Sequence, residues 1–237
     1  MRIADRIVDI VYPRRCPVCD DAVTGPGHFI CEECADSFTG VEDPYCMKCG
    51  SPLKDSGTVM CRDCVRRDHD FVSGRAAFLY DDLLKESVYR FKYGGRAEYA
   101  DYYADILAKN LEPYIKSCGV DAIIPIPLHP GRLRKRGYNQ AGLLAAGLSR
   151  HFDIPLRNDI LSRPVKTGAQ KSLGAGQRQN NLKKAFKIDS DVVKLKNTLL
   201  VDDIYTTGAT MDAAAGCLKA AGVRNVYYVV LGIANVD

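Results

Sequence analysis

A chain of 237 residues with 46% apolar and 26% charged side chains is long enough for one ordinary domain plus a small appendage, and too apolar to be disordered. Its formal charge of +4 hides an asymmetry: residues 1–70 carry 9 basic and 13 acidic side chains and the remainder 24 and 16, so any surface for an acidic partner lies downstream. No run approaches the ~20 uninterrupted apolar residues of a membrane-spanning helix, so no membrane insertion is expected.

At the start, MRIADRIVDIVYPRRC places Asp5, Arg6 and Asp9 where a signal peptide would need an apolar stretch, so none is expected and the chain is assigned to the cytoplasm. Ile3, Ile7, Ile10 and Val11 fall at helical spacing ahead of Pro13 and predict a short amphipathic helix.

Ten cysteines follow, and eight of them form four Cys-x-x-Cys pairs: Cys16/Cys19, Cys31/Cys34, Cys46/Cys49 and Cys61/Cys64, each beginning 15 residues after the last. CPVCDDAVTGPGHFICEEC and CMKCGSPLKDSGTVMCRDC align as a 19-residue repeat, matching in cysteines, in Gly27 and Gly57, and in apolar Val23/Leu53 and Ile30/Met60. Two such knuckles aim four thiolates at one centre, the tetrahedral cage that Zn²⁺ accepts, so two structural zinc sites are expected, closed to catalysis. Pairing within each repeat unit is the expectation, while spacing alone leaves exchange of knuckles open. Disulfides would need an oxidising compartment, and a redox dithiol would need one pair rather than four. Few large apolar side chains accompany the cysteines, so metal binding is expected to supply much of the folding free energy. Two bound Zn²⁺ with eight thiolates take the module from −4 to about −8, which favours protein contacts or bracing over nucleic acid. His28 and His69 are expected to face solvent, and Cys118 and Cys217 to be small buried hydrophobes.

From about residue 74 the pattern alternates. GRAAFLY (74–80) predicts a strand, 82–93 and 96–116 helices, VDAIIPIP (120–127) a strand and GYNQAGLLAAGLSRHF (137–152) a helix. NTLLVDD (197–203) and NVYYVVLGIA (225–234) predict buried strands around a helix at GATMDAAAGCLKAAG (208–222). Apolar strands alternating with helices mean an α/β fold, a parallel sheet flanked by helices with right-handed crossovers. The expected division is 1–70, a helix and two four-cysteine sites, and 71–237, the α/β domain.

In such sheets ligands gather at the carboxyl ends of the strands. There Thr206, Thr207, Gly208, Ala209 and Thr210 let backbone N–H groups turn inward at a helix N-terminus, a cradle for phosphate. Asp202 and Asp203 would repel a phosphate, so they are expected to accept hydrogen bonds from the hydroxyls of the same sugar phosphate.

LLVDDIYTTGAT (199–210) resembles the phosphoribosyl pyrophosphate (PRPP) motif of type I phosphoribosyltransferases. IPIPLHPGRLRKRGYNQAGLLA (124–145), RPVKTGAQKSLGAGQRQNNLKKAF (163–186) and the cysteine module extend the likeness nearly end to end. Together they resemble the ComF family of bacterial competence proteins, related to amidophosphoribosyltransferases, with a double zinc ribbon ahead of a type I phosphoribosyltransferase-like domain.

The resemblance implies roles. Asp202 and Asp203 would contact the ribose 2′ and 3′ hydroxyls, residues 206–210 the 5′-phosphate, and Arg132, Arg134, Lys135 and Arg136 the diphosphate of PRPP bound with Mg²⁺. Thr206 stands where purine-base transferases carry Asp, which disfavours purine salvage. Residues 164–181 read as a lid, from which Lys171 and Arg178, with Arg163 just before it, would offset charge on departing pyrophosphate. No feature marks a pocket for an attacking nucleophile. One implied function is Mg²⁺-dependent phosphoribosyl transfer to an unidentified acceptor. The other is handling of single-stranded DNA during uptake beside a helicase or channel protein, for which residues 162–188 carry seven basic and no acidic side chains, with Tyr138 and Phe186 as stacking candidates.

Overall fold

Four apolar runs become four parallel strands: β1 (Ser73–Leu79), β2 (Ala122–Pro125), β5 (Asn197–Tyr205) and β6 (Asn225–Ile233), ordered β1-β6-β5-β2. The computed structural model describes residues 13–23, 25, 27–164, 185–192 and 194–234. The helix expected over the first residues lies outside them. β2 is buried along its whole length and β6 nearly so, as a parallel sheet covered on both faces requires.

Three of the described helices cover one face. α2 (Asp82–Tyr93) begins where the Asp81 carboxylate accepts the Leu84 N–H at 2.9 Å, and its last turn closes with Gly94 N–H on the Arg90 carbonyl. α3 (Tyr99–Ser117) sets Tyr99, Tyr103, Leu107, Leu111 and Ile115 on one buried stripe. α5 (Gln140–Phe152) crosses it so closely that a methyl group on Gly147 would run into Ala104. Leu199, Val201, Val229 and Leu231 meet these helices from the sheet.

The opposite face packs Leu200, Tyr228 and Val230 against α6 (Ala209–Ala220) and against the second cysteine cluster with its short helix α1 (Arg62–Arg66). The cysteine module therefore straddles the sheet at its β1 edge. Thr39 and Val41 pair with that edge, Leu79 N–H reaching the Thr39 carbonyl at 2.8 Å and Val41 N–H the Ala77 carbonyl at 3.2 Å. This covers the unpaired peptide groups that an edge strand would otherwise expose.

Two features depart from the expected pattern. The run after β2 contains a seven-residue helix, α4 (Pro130–Arg136), started by His129 Nδ1 accepting the Gly131 N–H and closed at Gly137 with φ of 85°. β5 continues two residues past Asp203, so the two aspartates lie inside the strand and are not its last residues. A two-residue antiparallel pair, β3 (Leu161–Ser162) with β4 (Lys187–Ile188), brackets the predicted lid.

Candidate functional site

Each repeat unit gathers its own four thiols: Cys16, Cys19, Cys31 and Cys34 in one cluster, Cys46, Cys49, Cys61 and Cys64 in the other, with ligand atoms within 4.8 Å of one another. Knuckles pair within a unit and are not exchanged. Sulfur separations of 3.5 Å (Cys16–Cys31) and 3.7 Å (Cys19–Cys31, Cys49–Cys61) match the edge of a tetrahedron with metal–sulfur bonds of about 2.3 Å, which gives ~3.8 Å. All eight cysteines are free of disulfides. Hydrogen bonds from Cys49 and Cys64 hold the Cys46 thiol well below its ordinary value and raise those two thiols in turn, so the sulfurs of this cluster share their charge as one set. With four sulfur ligands each, these are closed structural zinc-ribbon sites.

At the carboxyl end of β5, Asp202, Tyr205 and residues 206–210 line a small open cleft. Gly208, at φ of 73°, is the N-cap of α6; among the described residues no side chain caps the helix, so its first N–H groups are open to a ligand. Thr206 and Thr207 are exposed and Gly208 is buried beneath them. The Asp202 carboxylate accepts the Asp203 N–H at 2.9 Å. Its pKa is pushed up to about 7, first by burial and next by the neighbouring Asp203 charge, against the pull of Lys92 and Arg163.

Strand alternation sends the second aspartate elsewhere. Asp203 lies under α2, where Lys92 Nζ meets its Oδ1 at 2.7 Å; both side chains are mostly buried. The predicted pair therefore does not form one open carboxylate clamp: Asp202 borders the cleft, and Asp203 is held by a lysine. Lys92 is not legible in the sequence, because it stands 111 residues away on a helix whose spacing says nothing of its partner.

Of the predicted cations among the described residues, Arg163 is one whose charge acts on Asp202. Burial lowers its basicity first and Arg132 next, with Asp202 opposing, so Arg132, Arg163 and Asp202 share one electrostatic neighbourhood. The Arg163 guanidinium lies over the Phe186 ring at 5.3 Å. Arg134 and Lys135 are exposed on α4, while Arg136 bonds Gln140 and covers the Tyr93 ring at 4.9 Å. Lys171 and Arg178 lie outside the described residues.

Three secondary expectations change. His69 does not face solvent: its imidazole is enclosed and Nδ1 lies 2.8 Å from Asp212 Oδ2, whereas His28 is exposed as expected. Tyr138 is half-buried with its hydroxyl on the Phe91 carbonyl, and Phe186 is buried, so neither offers a stacking face. Among the described residues the exposed aromatics are Tyr89 and Tyr93, at 63% and 62%, one turn apart on α2 with ring centroids 5.1 Å apart.

Comparison with known proteins agrees with this arrangement. A family model described as a double zinc ribbon domain matches residues 7–65. Competence protein F of Haemophilus influenzae is 32% identical over 188 residues, covering 77% of this chain and 82% of that protein. Competence protein ComFC of Bacillus subtilis is 33% identical over 214 residues, 84% of this chain and 83% of that protein. DNA utilization protein YhgH of Escherichia coli is 28% identical over 204 residues, 84% and 88% of the two chains. A zinc-ribbon module joined to a parallel α/β sheet, with identity of this extent, places the chain in the ComF family. Among solved structures it is similar to a purine phosphoribosyltransferase from Pyrococcus horikoshii, with TM-score 0.34 and 20% identity over 57% of this chain and 73% of that one. A hypoxanthine phosphoribosyltransferase from Staphylococcus aureus gives TM-score 0.35 and 17% identity over 58% and 68%. Likenesses this loose assign neither residues nor a reaction.

Proposed function

We propose that the chain binds PRPP, or a related sugar phosphate, together with Mg²⁺, and that it acts in the cytoplasm in natural competence, in the handling of incoming DNA. One observation carries the binding reading: the Asp202 carboxylate and the uncapped helix start at Gly208 share a single cleft. Such a cleft suits a ligand that presents hydroxyl donors to one wall and a phosphate to the other. Arg132 and Arg163 bring positive charge to the neighbourhood of Asp202, which supports a diphosphate ligand, and the raised pKa of Asp202 suits a carboxyl group awaiting a cation or a diol. The names of the relatives support the competence reading. We propose also that residues 1–70 brace 71–237 as a metal-held module.

Lys92 adds a condition. In the free protein it supplies the positive charge beside Asp203, so a ligand that brings Mg²⁺ either displaces the amine or draws it toward phosphate oxygen. Transfer chemistry would break the bond between the anomeric carbon and pyrophosphate, with Arg163 near the departing charge.

The test is calorimetric titration of PRPP with Mg²⁺ into the full chain. Replacing Asp202 and Asp203 together by Asn removes two charged acceptors and should weaken binding by about a hundredfold or more, at roughly 1.5–3 kcal/mol per charged hydrogen bond. Unchanged affinity would reject the site. Release of pyrophosphate in the presence of a candidate acceptor would favour the reading of the chain as a transferase outside DNA uptake.

A second reading rests on Tyr89 and Tyr93, which with Arg136 stacked over Tyr93 make an exposed aromatic and basic surface beside α4, the arrangement that single-stranded nucleic acid uses. Replacing both tyrosines by Ala should weaken oligonucleotide binding about tenfold or more while the salt slope persists. Absence of binding at low salt would remove this reading.

A further inference from the structure

The loop at residues 206–210 stands on the second cysteine cluster through a stack of aromatic side chains. Tyr205, the last residue of β5, lies parallel to Tyr228 with centroids 5.2 Å apart and an interplanar angle of 5°, and the Tyr228 hydroxyl donates to the Cys49 carbonyl at 2.7 Å. Phe71 closes the stack edge-on, 4.9 Å from Tyr228 and 6.3 Å from Tyr205. At the other end, a methyl group on Gly208 would run into the Tyr205 hydroxyl, so the left-handed residue that opens α6 rests on that ring.

A second tether reaches the same turn. His69, five residues past Cys64, stacks on Phe71 at 4.7 Å and bonds Asp212 through Nδ1. The other oxygen of Asp212 accepts the Asp70 N–H at 3.1 Å, and the Asp212 N–H bonds the Gly208 carbonyl at 2.8 Å. The enclosed His69 Nε2 has no hydrogen-bond partner among the described residues, so the imidazole is oriented by this one bond and by stacking. The first cluster is held differently: its contacts lead to α2 and α3, on the far face of the sheet.

We propose that the second cysteine cluster, closed around zinc, is the positioning element of the anion-binding loop, acting through Tyr228 and Tyr205 on one side and His69 and Asp212 on the other, while the first cluster has no part in it. The proposal rests on the reading of residues 206–210 as a phosphate cradle. In a four-thiolate cage the metal fixes the Cys49 peptide, the Cys49 carbonyl fixes the Tyr228 ring, and the stacked pair fixes the height of Gly208. Loss or oxidation of this cluster would lower the affinity of the cleft for a phosphate monoester without touching any residue that contacts it.

The experiment uses the full chain and three variants: Tyr228→Phe, which keeps the stack and loses the bond to Cys49; His69→Gln; and Asp20→Asn, which loosens the first cluster. Zinc content is measured on each, amide hydrogen exchange is followed over residues 205–211, and ribose 5-phosphate is the titrant. With two zinc ions retained, Tyr228→Phe and His69→Gln should each speed exchange over 205–211 and weaken ribose 5-phosphate by about tenfold, the worth of one hydrogen bond. Asp20→Asn should speed exchange only around its own knuckle and leave ribose 5-phosphate binding as in the parent. Unaltered exchange over 205–211 in both tether variants would overturn the proposal, as would an equal loss of affinity in Asp20→Asn. Faster exchange in a protein whose parent binds no ribose 5-phosphate would uphold the coupling and sink the phosphate reading of the loop.

Discussion

The two cysteine knuckles share a repeat yet attach to the sheet by different physics. Both turn their corner with a left-handed residue, Asp20 at φ of 64° and Gly50 at φ of 75°. In the first knuckle the corner residue is acidic because its carboxylate is in use: Arg96 Nε and a terminal nitrogen each donate to it at 2.7 Å, and the Tyr99 hydroxyl at 2.6 Å. In the second it is Gly because a side chain there would meet the Gly74 carbonyl of β1 at 2.8 Å. One knuckle is moored by charge to helices, the other is embedded in the core, where Cys46, Cys49 and Cys61 are no more than 1% exposed. Local geometry sets the demand for a left-handed corner, and tertiary surroundings decide which of the permissive residues meets it.

The largest expected effect comes from breaking each cage in turn. Structural zinc in small modules is worth roughly 10–16 kcal/mol, comparable to the ~5–15 kcal/mol stability of a whole domain. Cys49→Ala should therefore abolish the cooperative thermal transition of the entire chain, because its cluster belongs to the core that the sheet shares. Cys19→Ala, at an exposed thiol, should lose one zinc and lower the melting temperature by less than about 10 °C. Zinc content with differential scanning calorimetry checks both. Equal transitions in the two variants would erase the distinction between the knuckles.

Next in size is the corner itself. Gly50→Ala forces a Cβ into the left-handed region at about 1–2 kcal/mol and against the β1 carbonyl at about 1–3 kcal/mol more, so a loss of about 2–5 kcal/mol is expected in denaturant unfolding. Asp20→Asn keeps a residue that tolerates the conformation and removes the charge, for roughly 1.5–3 kcal/mol. Its pH dependence has a definite sign. Burial alone would raise the Asp20 pKa, but the Arg96 and Tyr99 hydrogen bonds outweigh it and the net shift is downward. The contribution is therefore present above the ordinary aspartate value near ~3.9 and is lost as pH falls through the lower folded value, so the advantage of the parent over Asp20→Asn should shrink only in acid.

These contrasts also mark what a sequence discloses. Strands announce themselves as apolar runs bounded by polar residues, and NTLLVDD and NVYYVVLGIA are found where that rule places them. Cysteine spacing reports the cages because a tetrahedral site needs two knuckles whatever surrounds them. The aspartate doublet is legible as a place and illegible as geometry: adjacent strand positions point to opposite faces, and only the fold shows that one of those faces holds Lys92. His69 misleads for a similar reason, since its partner Asp212 lies 143 residues on and no local pattern links them. The short helix α4 escapes because its seven residues, four of them basic, have no apolar period to read.

The smallest effect carries the comparison to the cleft, since Asp202 lies on the face of the second knuckle and Asp203 on that of α2, which the first knuckle holds through Arg90 and the Val18 carbonyl at 2.6 Å. Asp202, raised to about 7, binds its proton more tightly in the folded chain than in the unfolded one. Its contribution to stability is thus complete below ~3.9 and is lost as pH rises through about 7, so Asp202→Asn should gain on the parent between those values. Binding runs the other way. A diol or Mg²⁺ needs the carboxylate, so each ligand that binds below pH ~7 must expel one proton, and affinity for PRPP with Mg²⁺ should fall by up to about tenfold per pH unit there. PRPP also titrates near that range, and the Asn variant separates the two sources: any slope that survives in Asp202→Asn belongs to the ligand, and the difference belongs to the protein. Parent and variant slopes that coincide would move the cation-binding carboxylate away from Asp202, and leave Asp203, once Lys92 has let it go, as the acid that meets the sugar.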